Sequence, residues 1–151
     1  MSGSSRAESI RSLEHQVGVL IRRIKRVIGE RAAAVDVSLQ PSAYLILAYL
    51  VEHGAVRASA MVELFTIDKG AVSRQISHLE DLGLVARSPD PDDGRATLLD
   101  ATDEAVTRMQ AVVAKRREWM DERLGDWSDE RLATFASELS TYNTALSRPP
   151  D

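Results

Sequence analysis

IDKGAVSRQISHLEDLGLVARSPDPDDGR, residues 67–95, is the stretch whose reading decides the fold. Asp68 offers a side-chain oxygen just ahead of a helical pattern, and Val72, Ile76 and Leu79 recur at the spacing of one helix face. Gly83 follows where a left-handed residue ends a helix. With those three apolar residues turned inward, the opposite face carries Gly70, Arg74 and Ser77, flanked by Ser73 and His78. A face so small, polar and cationic suits entry into a DNA major groove. An ordinary surface helix with a solvated outer face is the alternative.

The residues after the helix favour the first reading. Leu84, Val85 and Ala86 form a short apolar strand ending at Arg87, SPDPDDGR supplies the turn, and a second short run spans Ala96 to Leu99. Two such runs around a Pro/Asp/Gly tip predict a hairpin. A helix followed by a hairpin with a basic tip is the layout of a winged helix-turn-helix, whose helix lies in the major groove and whose wing reaches a neighbouring minor groove.

Working outward, Pro41 sits where a helix-starting proline belongs, after a connector at residues 35–40. Ser42 to His53 is apolar nearly all round and closes at Gly54, which predicts a buried helix. Ala58 to Phe65 is a further helix with Met61, Val62 and Phe65 inward, and Thr66 and Ile67 make a tight turn into the next. Residues 38–100 are thus expected to form the winged helix-turn-helix. Residues 1–7 are expected to be a disordered tail, and Arg148 to Asp151 a frayed end.

Residues 8–34 and 103–147 have helical periodicity and are expected to form a helical dimerisation region. Leu13, Val17, Leu20, Ile24 and Ile28 share one stripe of the first helix, and Arg22, Arg23, Lys25, Arg26 and Arg31 crowd its second half. Those cations are either a solvated face or electrostatic support for DNA. Thr102 and Ser128 cap two further helices, each followed by acids where the dipole favours them. Their apolar sides include Met109, Trp119, Leu132, Phe135, Leu139 and Tyr142. Three such helices have more apolar surface than so small a domain covers, so Leu13, Val17, Trp119, Leu132, Phe135, Leu139 and Tyr142 are expected at a homodimer interface. A loose monomeric bundle is the alternative. The fold class is mainly α with a small β-hairpin wing, flanked by dimerisation helices.

A chain of 151 residues with 44% hydrophobic side chains can bury a proper core. It contains no cysteine, which excludes disulfides, thiolate metal sites and thiol redox sensing. His15, His53 and His78 lack metal-ligand spacing, so neither metal nor cofactor is expected. No apolar span or leader pattern is present, so no membrane partner and a cytoplasmic location are expected. The net charge of −4 speaks against strong non-specific DNA affinity, but a local basic face still neutralises phosphates. Ser77, His78 and Asp81 cannot form a catalytic relay from neighbouring positions on one helix, and no phosphate loop or nucleophile elbow occurs, so no enzymatic activity is expected.

DKGAVSRQISHLEDLGLV, then AR, then DPDDGRA, resembles the recognition helix and wing of the MarR family of bacterial transcriptional regulators, and the order of elements agrees over nearly the whole chain. The resemblance implies that Arg95 enters the minor groove, oriented by Asp93, because Asp93-Gly94-Arg95 matches the family's Asp-x-Arg motif. It implies that Ser73 and Arg74 meet phosphates and base edges, with Gln75, Ser77 and His78 setting sequence preference and Lys69 and Arg87 adding DNA contacts. Gly94 stands where the family commonly has another arginine, and Ala105 where many relatives have glycine. The expected function is a homodimeric repressor that binds double-stranded DNA at a palindromic operator. It also implies release by a small aromatic or phenolic effector in a crevice lined by Ile24, Tyr44 and Met109, for which core packing is the alternative. The competing function is a winged-helix dimer that serves as a protein-interaction module without DNA.

Overall fold

The computed structural model describes residues 5–65 and 68–147, so the turn expected at Thr66 and Ile67 and the end from Arg148 lie outside the described residues. The element order is α1 (Arg6–Val35), α2 (Pro41–His53), β1 (Val56–Arg57), α3 (Ala58–Leu64), α4 (Lys69–Asp81), β2 (Val85–Pro89), β3 (Thr97–Ala101), α5 (Asp103–Arg123) and α6 (Asp129–Leu146). By contact the chain divides into two units, one through Val112 and one from Val113.

The first helix starts earlier than its apolar pattern suggests. Ser5 and Glu8 form a capping box: the Ser5 hydroxyl accepts from the Glu8 amide at 3.2 Å, and the Ser5 amide donates to Glu8 Oε2 at 2.7 Å. Arg6 and Ala7, expected in the tail, are therefore helical. Cap chemistry, not hydrophobic periodicity, sets that boundary.

In the unit through Val112 the core gathers Ala32 and Val35 of α1, five residues of α2 (Ala43, Tyr44, Ile46, Leu47, Leu50), Met61 of α3, Val72, Ile76 and Leu79 of α4, and Leu84, Val85, Leu99, Ala105 and Met109. Helix α2 is the hub, packing against α1, α4 and β3. Its composition explains this, because a helix apolar on every side must be surrounded.

The sheet has three strands, not the expected two. Val56 pairs with Leu99 and Arg57 with Leu98, which gives the antiparallel order β1-β3-β2. Two residues carry no alternation to read, so this strand exists only because β3 offers it an edge. The hairpin itself runs in register from Val85 opposite Ala101 to Pro89 opposite Thr97.

Helix α4 ends in a complete Schellman motif. Gly83 has φ 70°, its amide donates to the Glu80 carbonyl at 2.9 Å, and the Leu84 amide donates to the Leu79 carbonyl at 2.9 Å. Leu79 and Leu84 are both fully buried, which supplies the apolar contact that accompanies the motif. Thr102 joins this end to α5: its hydroxyl donates to the Gly83 carbonyl at 2.8 Å and accepts from the Ala105 amide at 3.2 Å. Ala105 is fully buried, so its methyl group is part of the packing.

In the unit from Val113, Trp127 meets Phe135 edge-on with centroids 5.7 Å apart, and Arg131 lies 4.0 Å over the Trp127 ring. No described residue of α6 is buried. No helix of the described chain is long and apolar enough to cross a membrane.

Candidate nucleic-acid interface

Asp68 caps α4 as its sequence position requires, accepting from the Gly70 amide at 3.4 Å. Val72, Ile76 and Leu79 are buried, so the opposite face is turned to solvent. Lys69, Ser73, Arg74 and Ser77 are all exposed there, with Lys69, Ser73 and Ser77 in one row at four-residue spacing. Gln75 is half-buried at the edge of this face. The structure thus brings the cation and hydroxyl set of the helix together as one surface, able to donate to phosphates and base edges.

His78 stands apart from that set. It is half-buried, and its Nε2 is hydrogen-bonded to the Ser38 hydroxyl at 3.0 Å. Ser38 also donates to Asp36 Oδ1, from its amide at 2.9 Å and its hydroxyl at 2.6 Å. Those two bonds hold the Asp36 carboxyl below the usual carboxylate range, helped by the charges of Arg108 and His78. Arg108 of α5 completes the corner by donating to the Val35 carbonyl at 3.1 Å. His78 therefore links α4 to the α1–α2 junction, some 40 positions away in sequence. Ser38→Ala, which alters no residue of the α4 outer face, is expected to weaken DNA binding at least as much as His78→Ala does. His78→Ala gives up the bond to Ser38, about 0.5–1.5 kcal/mol net, and Ser38→Ala gives up that bond together with the hydroxyl's bond to Asp36. Binding-site selection with both variants checks this, because a changed base preference for His78→Ala alone would return His78 to the base readers.

The wing carries its cations unequally. Arg87 is paired with Glu80 of α4, Nε to Oε1 at 2.7 Å, so its charge is shared within the protein. Arg95 is exposed at the tip, and no ion pair among the described residues holds its guanidinium. Asp93 does act on Arg95, but through the main chain: its Oδ1 accepts from the Arg95 amide at 3.1 Å. A side chain at Gly94 would meet open space.

The residues expected to line an effector crevice do not share one environment. Tyr44 and Met109 are core residues, 6% and 4% exposed, while Ile24 is 44% exposed on α1. Those expected at a dimer interface include Leu13, Trp119, Phe135 and Leu139, which are exposed, and Val17, Leu132 and Tyr142, which are half-buried. Sequence reading missed Ser38, Arg57, Glu80 and Asp90, which bond α4 and the wing to their neighbours. A carboxylate embedded in SPDPDDGR looks like any other turn acid until its partner is known.

A model of the MarR family matches residues 37–96. The uncharacterized HTH-type transcriptional regulator YxaD of Bacillus subtilis (strain 168) is 31% identical over 134 residues, which cover 89% of this chain and 92% of that protein. The HTH-type transcriptional repressor MdtR of the same organism is 31% identical over 80 residues, 53% of this chain and 52% of its own. Among solved structures, a mutant MarR from E. coli complexed with operator DNA matches with a TM-score of 0.64 at 18% identity, covering 92% of this chain and 99% of that one. The fold, the capped recognition-type helix and the wing agree with these likenesses, and the chain belongs to the MarR family of HTH-type transcriptional regulators.

Proposed function

We propose that this regulator is a homodimeric repressor that binds a palindromic DNA operator through the outer face of α4 and the wing. The observation that carries the reading is the exposed set of Lys69, Ser73, Arg74 and Ser77, within the same unit as Arg95 at the wing tip, which has no ion-pair partner among the described residues. Hydroxyl and guanidinium donors of this kind satisfy phosphates and base edges, and a free arginine suits a narrow minor groove. Repression is supported by the name of the relative MdtR, and operator binding by the complex of the MarR mutant with DNA.

Dimer formation is supported by apolar surface with no cover. Along α1, Ile10, Leu13, Leu20, Ile21 and Ile24 are each 44–49% exposed, and α6 leaves Phe135 at 56%. An apolar stripe of the kind α1 carries marks an interface in a folded protein. A two-fold dimer also spaces two recognition helices about one DNA turn apart, which matches an inverted repeat. Residues 8–34 and 103–147 serve as the dimerisation region and residues 38–100 as the DNA-binding domain. Release by a small aromatic compound completes the reading. Such a compound reaches Tyr44 or Met109 only by displacing core packing, and a preference of about 1–3 kcal/mol for one spacing of the readers suffices for release.

The test combines a gel-shift titration with a mass measurement. DNA from upstream of the protein's own coding region is titrated against a mixed-sequence competitor at stated salt, and light scattering gives the oligomeric state. A dimer that prefers the upstream DNA is expected. Leu13→Glu is expected to yield folded monomer and to lower affinity about 100-fold or more, since two linked half-site contacts become one. A monomeric wild type would instead favour the loose monomeric bundle, and a dimer with no preference over competitor would favour the protein-interaction module.

A further inference from the structure

The wing is joined to β1 by an ion pair between Arg57 and Asp90. Asp90, directly after β2, is the one buried charged side chain among the described residues, at 6% exposure. Both of its carboxylate oxygens are occupied: Oδ2 accepts from Arg57 Nε at 2.6 Å, and Oδ1 from the Asp92 amide at 2.9 Å. Its main chain closes the loop, with its amide donating to the Ala96 carbonyl at 3.0 Å and its carbonyl accepting from the Asp93 amide at 3.3 Å. Asp93 in turn holds the Arg95 amide. An unbroken series of bonds therefore runs from Arg57 through Asp90 and Asp93 to Arg95.

Arg57 is well placed to act as the fixed end. It lies in β1, opposite Leu98 of β3, and directly precedes α3, the first helix of the helix-turn-helix. Because β3 lies between β1 and β2, the ion pair spans the sheet and ties the tip loop to the opposite edge. The β1–β3 ladder holds the hairpin at Leu98 and Leu99, and the ion pair extends that hold to the tip loop. A buried carboxylate persists only when paired and hydrogen-bonded, so this cluster favours one loop geometry over others. The Asp92 amide, with the Arg57 guanidinium after it, keeps the Asp90 carboxyl below the ordinary carboxylate range, and the group stays ionised as the pair requires.

We propose that Arg57 and Asp90 are positioning residues for the wing, clamping the loop that carries Arg95 to the helix-turn-helix and so setting how its guanidinium meets DNA. The proposal rests on the DNA-binding reading given above and adds residues that touch no DNA themselves.

The test is a double-mutant cycle on a fluorescent A·T-rich duplex of mixed sequence, titrated by anisotropy over a series of salt concentrations, with thermal unfolding recorded for each protein. Arg57→Gln, Asp90→Asn, Arg95→Ala and the double variant Arg57→Gln/Arg95→Ala are compared with the wild type. Arg57 makes no side-chain cap on α3 and its side chain is 48% exposed, so Arg57→Gln retains the fold even where Asp90→Asn does not. Arg57→Gln is expected to weaken binding roughly tenfold, as for coupled groups in contact. It is also expected to lower the salt slope by about one for each wing, as a lost phosphate contact does, and to have no further effect once Arg95 is alanine. Additive losses in the double variant would mean that Arg57 meets DNA directly, and would overturn the proposal. So would a lower unfolding temperature with an unchanged salt slope. A wild type that binds no duplex defeats the DNA-binding reading and the clamp with it. Normal binding by Arg57→Gln and Asp90→Asn beside a binding wild type defeats the clamp alone.

Discussion

Arg95→Ala is expected to weaken binding to every duplex, operator and random competitor alike, and to lower the salt slope by about one for each wing lost. The guanidinium is exposed at the wing tip and has no ion-pair partner among the described residues, so it loses no internal contact on entering a groove. A charge-assisted hydrogen bond is worth about 1.5–3 kcal/mol, or roughly ten- to hundredfold in Kd per wing, and the proposed dimer would place two wings on DNA. Arg87 offers a contrast within the same hairpin. Its charge is already paired with Glu80, so Arg87→Ala should cost less and leave the slope nearer its wild-type value. Anisotropy titrations at several salt concentrations check both. An Arg95→Ala protein of undiminished affinity would remove the wing from the DNA-binding surface.

The second large effect concerns stability. Leu79→Ala is expected to cost about 2–5 kcal/mol, from lost transfer energy and the cavity left behind. Against a total stability of about 5–15 kcal/mol that is a large fraction. Leu79 is fully buried, packs in the same core as Leu47 and Leu99, and its carbonyl holds the Leu84 amide where α4 gives way to β2. Ser73→Ala, on the exposed face of the same helix, should stay within about 0.5 kcal/mol of wild type. Urea unfolding at one fixed protein concentration measures the difference, the concentration being held because dimerisation would shift the midpoint. Equal effects at the two positions would mean that α4 presents a different face to the core.

Leu79 and Ser73 lie on opposite faces of one helix, and both faces were legible in the sequence because their signals are local. The Asp68 cap, the stripe of Val72, Ile76 and Leu79 and the stop at Gly83 all lie within a few turns of one another. The exposed cations needed no further information, since they are what remains when the apolar stripe turns inward. The paired strands were legible for the same reason, the turn between them being written in prolines, aspartates and glycine.

Tertiary structure decided what sequence-distant partners do to these residues. His78 reads as a base contact by its position on α4, yet Ser38 binds it from the α1–α2 junction. Arg87 reads as a free cation until Glu80 is brought beside it. Asp90 and Asp93 are indistinguishable acids within one turn, but Arg57 reaches the first and buries it, while the second remains exposed. The amino-acid order alone determined the recognition helix, its inward stripe and its hairpin, because hydrophobic periodicity and caps act over one or two turns of chain. Which of the polar groups stay available to a partner was settled only when folding set distant side chains within hydrogen-bonding reach, since a charge already satisfied inside the protein has little left to offer a phosphate.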